Sequence, residues 1–240
     1  MGGHHHPSPP EVARTDRRLF WAVAVNLLLT VAQILGGVVA GSLALVADAV
    51  HNLSDALSLA IALLARRIAR RPAHAGMTFG YRRAEIIATL INLTTLIVIG
   101  LYLVAEGIAR LMTPVRVDGW LVVIVAGVAL MIDLATVALT FRPARGSMNI
   151  RAAFLHNLAD ALGSVAVIVA GAAILLCGWT VVDPLVTLGI AGYVLWQAGR
   201  EIGPAIRILM EGTPPDLDLE EIARNLSAIA GVKEVHHLHV

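Results

Sequence analysis

Six long apolar segments dominate this 240-residue chain. Each reaches or exceeds the roughly 20 residues that an α-helix needs to cross the hydrocarbon core of a bilayer. The composition agrees, since 58% of the residues are hydrophobic and only 15% are charged, whereas soluble domains carry roughly 25% charged residues. We therefore predict an all-α membrane protein with six transmembrane helices. The segments cover approximately residues 18–40, 43–65, 84–111, 118–141, 151–177 and 181–209.

The distribution of arginine indicates the orientation of the segments. Arginines precede the first segment and flank the connections after the second and the fourth, whereas only Arg110 and Arg116 lie on the opposite side. Because cytoplasmic connections are enriched in basic residues, we predict that both termini are cytoplasmic. The arginines lie in short connections between apolar segments, so we predict no nucleic-acid partner. The single cysteine, Cys177, excludes a disulfide framework within the chain.

Three parts follow from this pattern. Residues 1–15 are predicted to be a disordered tail, residues 16–210 a six-helix transmembrane domain, and residues 211–240 the start of a soluble domain that the chain does not complete. Within the last part we expect an amphipathic helix over 217–230 and a strand over 235–240. Asp183 before Pro184 predicts a helix start with the aspartate as its cap.

One short phrase, His-Asn-Leu-x-Asp-Ala-Leu, occurs in two of the apolar segments. It places His51 and Asp55 in the second segment and His156 and Asp160 in the fifth. Residues four apart on a helix project from one face. A central aspartate in a membrane costs at least about 2.5–3.5 kcal/mol, so such residues indicate a functional site. Two imidazoles and two carboxylates form a tetrahedral, charge-balanced set for a divalent metal such as zinc, and protons can replace the metal on the same groups.

Other polar residues in these segments leave alternatives open. Asp48, one turn before His51, is either a hydrogen-bonding partner of the site, an alternative ligand, or a residue near the outer helix end. Asn52 and Asn157 either support the ligands by hydrogen bonds or join helices. Asp133 is a candidate for an aqueous path. Packing roles are expected for Asn26, Gln33 and Asn92, and an ion pair for Glu106 with Arg110.

Two other interpretations of the repeated phrase are alternatives to a metal-transport site. A buried polar network would join the two helices without binding metal. An intramembrane metalloprotease needs His-Glu-x-x-His, and neither phrase contains that glutamate.

Longer phrases around these residues resemble the cation diffusion facilitators, a family of zinc transporters that exchange metal for protons. The resemblance runs from about residue 26 to the end, through residues 41–55, 78–85, 149–164, 183–184, 211–214 and 231–240. It implies a zinc site at His51, Asp55, His156 and Asp160, in a protein that is not an enzyme. It also implies a homodimer that exports Zn²⁺ from the cytosol as protons enter. In this family, histidine rather than aspartate at the first ligand position goes with preference for zinc over cadmium.

The short connection over 142–149 is typical of prokaryotic members, which implies a bacterial inner-membrane protein. Towards the cytoplasmic end, the resemblance implies a ferredoxin-like domain of which only the first helix and strand are present. His236, His237 and His239 would be remnants of its metal site. A second site known in some members would fall on His74, Met77 and Tyr81, which is a poor ligand set.

Arg83 and Glu211 flank the third and sixth segments at the cytoplasmic side, and related members carry opposite charges at similar positions. We therefore predict a salt bridge between them. The alternative function is a truncated, non-transporting or regulatory member of the same family.

Overall fold

The computed structural model describes residue 24 and residues 27–69, 71–81, 83–141 and 148–239. This part of the chain is helical and contains no strand. The predicted tail, residues 1–15, and the beginning of the first apolar segment lie outside the described residues. The helices are α1 (Leu27–Ala40), α2 (Leu43–Ala69), α3 (Ala84–Met112), α4 (Gly119–Phe141), α5 (Met148–Cys177), α6 (Val182–Leu209) and α7 (Leu219–Ser227).

Helices α2 to α6 follow the second to sixth apolar segments to within a few residues. Within the described residues, two stretches are long and apolar enough to cross a membrane by length and composition, Ala84–Met112 and Asn157–Cys177. The apolar parts of α1 and α4, Leu27–Ala40 and Gly119–Ala135, are shorter. Helices α2 and α6 are interrupted by polar and charged residues, which lowers their hydropathy.

Small residues line the interior of the bundle, whereas large apolar residues cover its outside. The buried positions include Ala44, Ala47, Ala126, Ala170, Ala191 and Ala198. The exposed ones include Leu28, Val39, Val98, Met131, Val169 and Leu176. A water-soluble protein places its large apolar side chains inside, whereas helices in lipid associate through small residues that allow close packing. The surface therefore has the character of one that faces lipid.

Glycines bring two pairs of helices into close contact. A Cβ on Gly119 of α4 would lie 2.7 Å from the carbonyl oxygen of Gly171 on α5. On α3, Gly100 and Gly107 face leucine side chains of α6. Helix α4 therefore pairs with α5 and α3 with α6, while α2 packs against α3, α5 and α6. This central position of α2 matters because it carries the first copy of the repeated phrase.

The start of α2 is capped by a carboxylate from another helix. Asp183, fully buried on α6, accepts hydrogen bonds from the hydroxyl of Ser42 at 2.5 Å and from the backbone N–H groups of Leu43 at 2.8 Å and Ala44 at 3.4 Å. Its negative charge also lies at the positive end of the α2 dipole. Asp183 was expected to cap its own helix. Instead it lies inside the first turn of α6, where its side chain reaches the unpaired donors of α2.

The turn between α1 and α2 is held from α3 as well. Gly41 has a φ of +71°, and its carbonyl accepts a hydrogen bond at 2.6 Å from Arg110, which also forms the expected ion pair with Glu106 at 2.9 Å. The backbone N–H of Asp118 donates to the carbonyl of Ala40 at 2.8 Å. We call this end of the bundle, with the turns at 41–42, 113–118 and 178–181, the hairpin end. The opposite end, with the connection over 71–83, is the loop end.

Beyond α6 the chain differs from the prediction. Helix α7 is capped by Asp218, whose side chain accepts from Glu220 N at 2.9 Å and Glu221 N at 3.3 Å, and it is shorter than the predicted span of 217–230. The predicted strand over 235–240 does not form in the described residues 235–239. A strand needs a neighbour to pair its backbone groups, and the described part of the chain offers none.

Candidate metal centre

Helices α2 and α5 bring three of the four predicted ligands together. The Nε2 atom of His51 lies 3.3 Å from Oδ1 of Asp160 and 3.8 Å from Oδ2 of Asp55. One ligand atom from each of the three residues fits within 4.8 Å of the others. Among the described residues, this is the one group of three or more such side chains close enough to hold a metal ion. His51 is buried and the carboxylate of Asp160 is nearly so, which makes the group an interior site.

The fourth predicted ligand, His156, belongs to α5, one turn before Asp160. Its side chain lies outside the described part of the structure. On a helix, residues i and i+4 share a face. The backbone therefore places His156 on the same face as Asp160, although the structure does not describe its contacts.

A hydrogen-bonded network adjoins the centre on the side of the hairpin end. Asp48 is buried and accepts a hydrogen bond from the amide of Gln33 on α1 at 3.1 Å. Gln33 in turn accepts from the buried Asn52 at 3.4 Å. Two of the predicted supporting residues therefore meet through a third, and α1 is tied to α2 beside the ligands. Asn157, by contrast, is half-buried on α5.

A further carboxylate reaches α5 one helical turn beyond Asp160. Asp133 of α4 accepts a hydrogen bond at 3.0 Å from the hydroxyl of the fully buried Ser164, which lies on α5 four residues after Asp160. Asp133, Asp48 and Asp160 are near enough to interact electrostatically. The interior therefore concentrates negative charge around the candidate centre, which favours a cation or protons there.

A cavity of about 450 Å³ opens beside the centre, between α2, α5 and α6. Its wall includes His51, Asp160 and Asp48, and it continues towards the hairpin end along Gly163 and Val186. The cavity gives His51 and Asp160 access to a space large enough for a hydrated ion.

Two residues in this region were not assigned to the site by the sequence. Gln33 was expected to have only a packing role, yet it joins Asp48 to Asn52. A glutamine in an apolar helix was the available signal. Tyr193 of α6 lines the cavity and contacts the ring of His51. A single aromatic residue in an apolar helix carries no sequence signal of such a role.

The connection between α2 and α3 is internally bonded. The Nε2 atom of His74 forms a hydrogen bond of 2.9 Å with the hydroxyl of Tyr81. Its Nδ1 atom accepts a hydrogen bond from the backbone N–H of Gly76 at 3.1 Å. Both ring nitrogens are therefore engaged. That His74, Met77 and Tyr81 form a poor metal site stays a prediction.

The three C-terminal histidines are exposed. The Nδ1 atoms of His236 and His237 lie 3.0 Å apart, and His239 follows two residues later. They belong to no group of three or more ligand side chains among the described residues. A metal site at these histidines stays a prediction.

At the loop end, the structure brings Arg83 and Glu211 together. The guanidinium of Arg83 donates a hydrogen bond to the carboxylate of Glu211, which joins the start of α3 to the end of α6. This hydrogen bond and the positive charge of Arg83 lower the pKa of Glu211. A carboxylate with a lowered pKa keeps its charge as the pH falls below its ordinary range. The pair is therefore lost only when the pH falls through the lowered value.

Exchanging the two charges tests this contact. We expect Arg83→Glu and Glu211→Arg each to raise the rate of proteolysis within residues 211–218 several-fold, because the end of α6 loses its tie to α3. The double variant restores the opposite charges and should return the rate to that of the wild type. Arg71→Glu, at an exposed arginine of the same end, is the matched control. A double variant cleaved as fast as the single variants would contradict the pairing.

The comparison with known proteins decides the family. Residues 19–210 match the family model of the cation efflux transmembrane domain. The chain is a cation diffusion facilitator. The resemblance inferred from the sequence is thereby confirmed. Cation diffusion facilitators are membrane proteins that move cations and are not an enzyme family.

Similar members of this family come from several bacteria. The metal cation efflux system protein CzcD of Cupriavidus metallidurans is 36% identical over 99% of this chain and 74% of its own length. The zinc transporter ZitB of Escherichia coli is 38% identical over 99% of this chain and 77% of its own. The cadmium, cobalt and zinc/H⁺–K⁺ antiporter of Bacillus subtilis is 38% identical over 87% and 68%.

Proposed function

We propose that this cation diffusion facilitator exports Zn²⁺ from the cytosol in exchange for protons, through a site formed by His51, Asp55, His156 and Asp160. The observation that carries the proposal is the meeting of His51, Asp55 and Asp160 in the interior, from both copies of the repeated phrase. Imidazole nitrogen and carboxylate oxygen are ligands that zinc accepts in tetrahedral sites. The names of the similar proteins, which include zinc, cadmium and cobalt, agree with this class of substrate.

Charge balance supports the exchange for protons. Two aspartates and one divalent cation sum to zero when the histidines are neutral, which suits a low-dielectric interior. Once the metal leaves, Asp55 and Asp160 remain close to each other, with Asp48 and Asp133 nearby. Metal ligands of these types must be deprotonated to bind the ion, so metal binding is linked to proton release. The same groups therefore hold a metal ion or protons in turn.

The proposal includes a specific arrangement in the membrane. Six helices span the inner membrane of a bacterium with both termini in the cytoplasm, and the protein acts as a homodimer. The arginines at the loop end and the large apolar side chains of the outer surface support this arrangement. The hairpin end then faces away from the cytoplasm. The residues after α6 are proposed to belong to a ferredoxin-like domain.

Zinc uptake into proteoliposomes with an imposed pH gradient tests the proposal. We expect Zn²⁺ to accumulate in vesicles that hold the full chain and are acidic inside, because protons leave as the metal enters. Collapse of the gradient with a protonophore should stop accumulation. Uptake that does not depend on the pH gradient would contradict proton exchange. Binding of zinc without uptake would favour the non-transporting or regulatory alternative.

Replacing the first ligand with aspartate tests metal selectivity. We expect His51→Asp to raise the ratio of cadmium to zinc transport by about tenfold, equivalent to ~1.4 kcal/mol. A carboxylate can bind a metal through one or two oxygens, so the ligand set becomes less demanding of the tetrahedral geometry of zinc and accepts a larger ion more readily. Competition between the two ions during uptake measures the ratio. An unchanged ratio of cadmium to zinc transport in His51→Asp would contradict the idea that this position sets selectivity.

A further inference from the structure

The ring of Tyr193 lies against the imidazole of His51. Their centroids are 5.8 Å apart and the ring planes meet at 84°, which is the edge-to-face arrangement that aromatic rings favour. Tyr193 belongs to α6, a helix that supplies none of the predicted ligands. It also forms part of the cavity wall that includes His51 and Asp160. Helix α6 therefore contacts the centre through this ring.

Neighbouring side chains support the position of Tyr193. The ring of Trp196 packs against it at a centroid distance of 6.1 Å, and the guanidinium of Arg200 lies 5.0 Å from the centroid of Trp196. A cation over an indole ring is an attractive contact. These three side chains form a stack along α6 that leads from the centre towards the loop end.

The axial position of α6 relative to α2 is fixed by contacts that do not involve this stack. Asp183 caps the start of α2 from α6. Further along, Val194 packs in a cluster with Val50, next to His51 in sequence. Because both helices are joined at these two levels, the ring of Tyr193 and the ring of His51 keep their relative positions.

We propose that Tyr193 is a positioning residue of the metal centre, whose ring holds the His51 imidazole with Nε2 towards Asp55 and Asp160. The second side-chain torsion of a histidine is broad, so a wall on one side of the ring restricts the direction of its nitrogen. The observed Nε2 faces both carboxylates, at 3.8 and 3.3 Å. This inference rests on the proposed function, because it concerns the same centre.

The role predicts an effect on which metal is held. Zinc binds its ligands in tetrahedral geometry at short distances, so a loosened imidazole weakens zinc most. A larger ion such as Cd²⁺ tolerates a looser ligand set. Tyr193 therefore contributes to the preference for zinc by limiting the motion of one ligand.

Equilibrium metal binding to the purified full chain tests the proposal. We expect Tyr193→Leu to weaken Zn²⁺ binding by roughly 3- to 10-fold, in line with the loss of an aromatic contact, and to change Cd²⁺ binding less. Competition with a chromophoric chelator measures both. The visible absorption of bound Co²⁺ reports coordination geometry, and its tetrahedral bands should lose intensity in Tyr193→Leu. Tyr193→Phe keeps the ring and should behave as the wild type.

Tyr102→Leu is the matched control, since Tyr102 is an exposed tyrosine of α3 outside the cavity wall. Unchanged zinc binding and Co²⁺ absorption in Tyr193→Leu would overturn the inference, and so would a Phe variant as impaired as the Leu variant. Tyr193→Met takes the place of Tyr193→Leu if the latter does not fold. His51→Ala in the same assay separates the two proposals. If it binds zinc like the wild type, the proposed centre is wrong, whereas a loss in His51→Ala alone rejects only the role of Tyr193.

Discussion

Asp160→Asn is expected to reduce zinc transport below detection while leaving the protein folded. The substitution keeps the size of the side chain but removes one of the two charges that balance the metal. It also replaces a proposed carboxylate ligand, 3.3 Å from His51 Nε2, with a weaker amide. The remaining groups then hold a divalent cation with an unbalanced positive charge in the interior, which is costly. We expect the same outcome for His51→Ala, Asp55→Ala and His156→Ala. Uptake into proteoliposomes measures the effect.

The control for this series is Asp216→Asn, which makes the same chemical change at an exposed carboxylate beyond α6. It should transport zinc at the wild-type rate. Helical content and elution in detergent should match the wild type for every variant, so that a loss of transport reflects the centre. Wild-type uptake by any two of the four ligand variants would refute the assignment.

Asp183→Ala is expected to be the most destabilising single substitution outside the centre, at about 2–4 kcal/mol. The buried carboxylate receives a hydroxyl and two backbone N–H groups at the start of α2. Its removal leaves these donors buried without that acceptor, at a cost of roughly 1–3 kcal/mol for each unsatisfied group, partly offset by relaxation. Unfolding of the purified chain in mixed micelles, followed by circular dichroism, measures the change.

Asp118→Ala provides the comparison for Asp183. Asp118 caps α4 by accepting from Trp120 N at 3.0 Å and Leu121 N at 3.2 Å, but it does so in an exposed turn. Water can replace that acceptor, so we expect a loss of only about 1 kcal/mol. Equal losses at the two positions would show that burial and the link between helices contribute little.

Most of the helices could be predicted because the apolar segments and the residues that separate them are local features of the sequence. The turn at Gly41, for instance, separates α1 from α2 at the gap between the first two predicted segments, 18–40 and 43–65. The candidate ligands could also be predicted, because a histidine and an aspartate four residues apart in an apolar helix have few alternative explanations. The pairing of Arg83 with Glu211 was predicted from the ends of two helices that share one side of the bundle, together with the opposite charges that related members carry at similar positions.

Contacts between distant helices could not be predicted in the same way. The sequence places Asp183 at a helix start, but which helix it caps depends on the packing of α6 against α2. The roles of Gln33 and Tyr193 depend equally on neighbours that are far away in sequence. The strand over 235–240 was predicted from a local pattern, yet a strand exists only with a partner.

The alanine-lined interior has a consequence for how this molecule tolerates sequence change. At its outer positions, leucine, isoleucine, valine and phenylalanine are interchangeable, because fluid acyl chains adapt to any of their shapes. At Ala126 or Ala191, both fully buried, a single added branch has no space to occupy and must push two helices apart. Substitutions should therefore accumulate rapidly on the outer surface of the molecule and very slowly at its smallest buried side chains. In a soluble enzyme the pattern is the reverse, because the bulky core residues are the constrained ones.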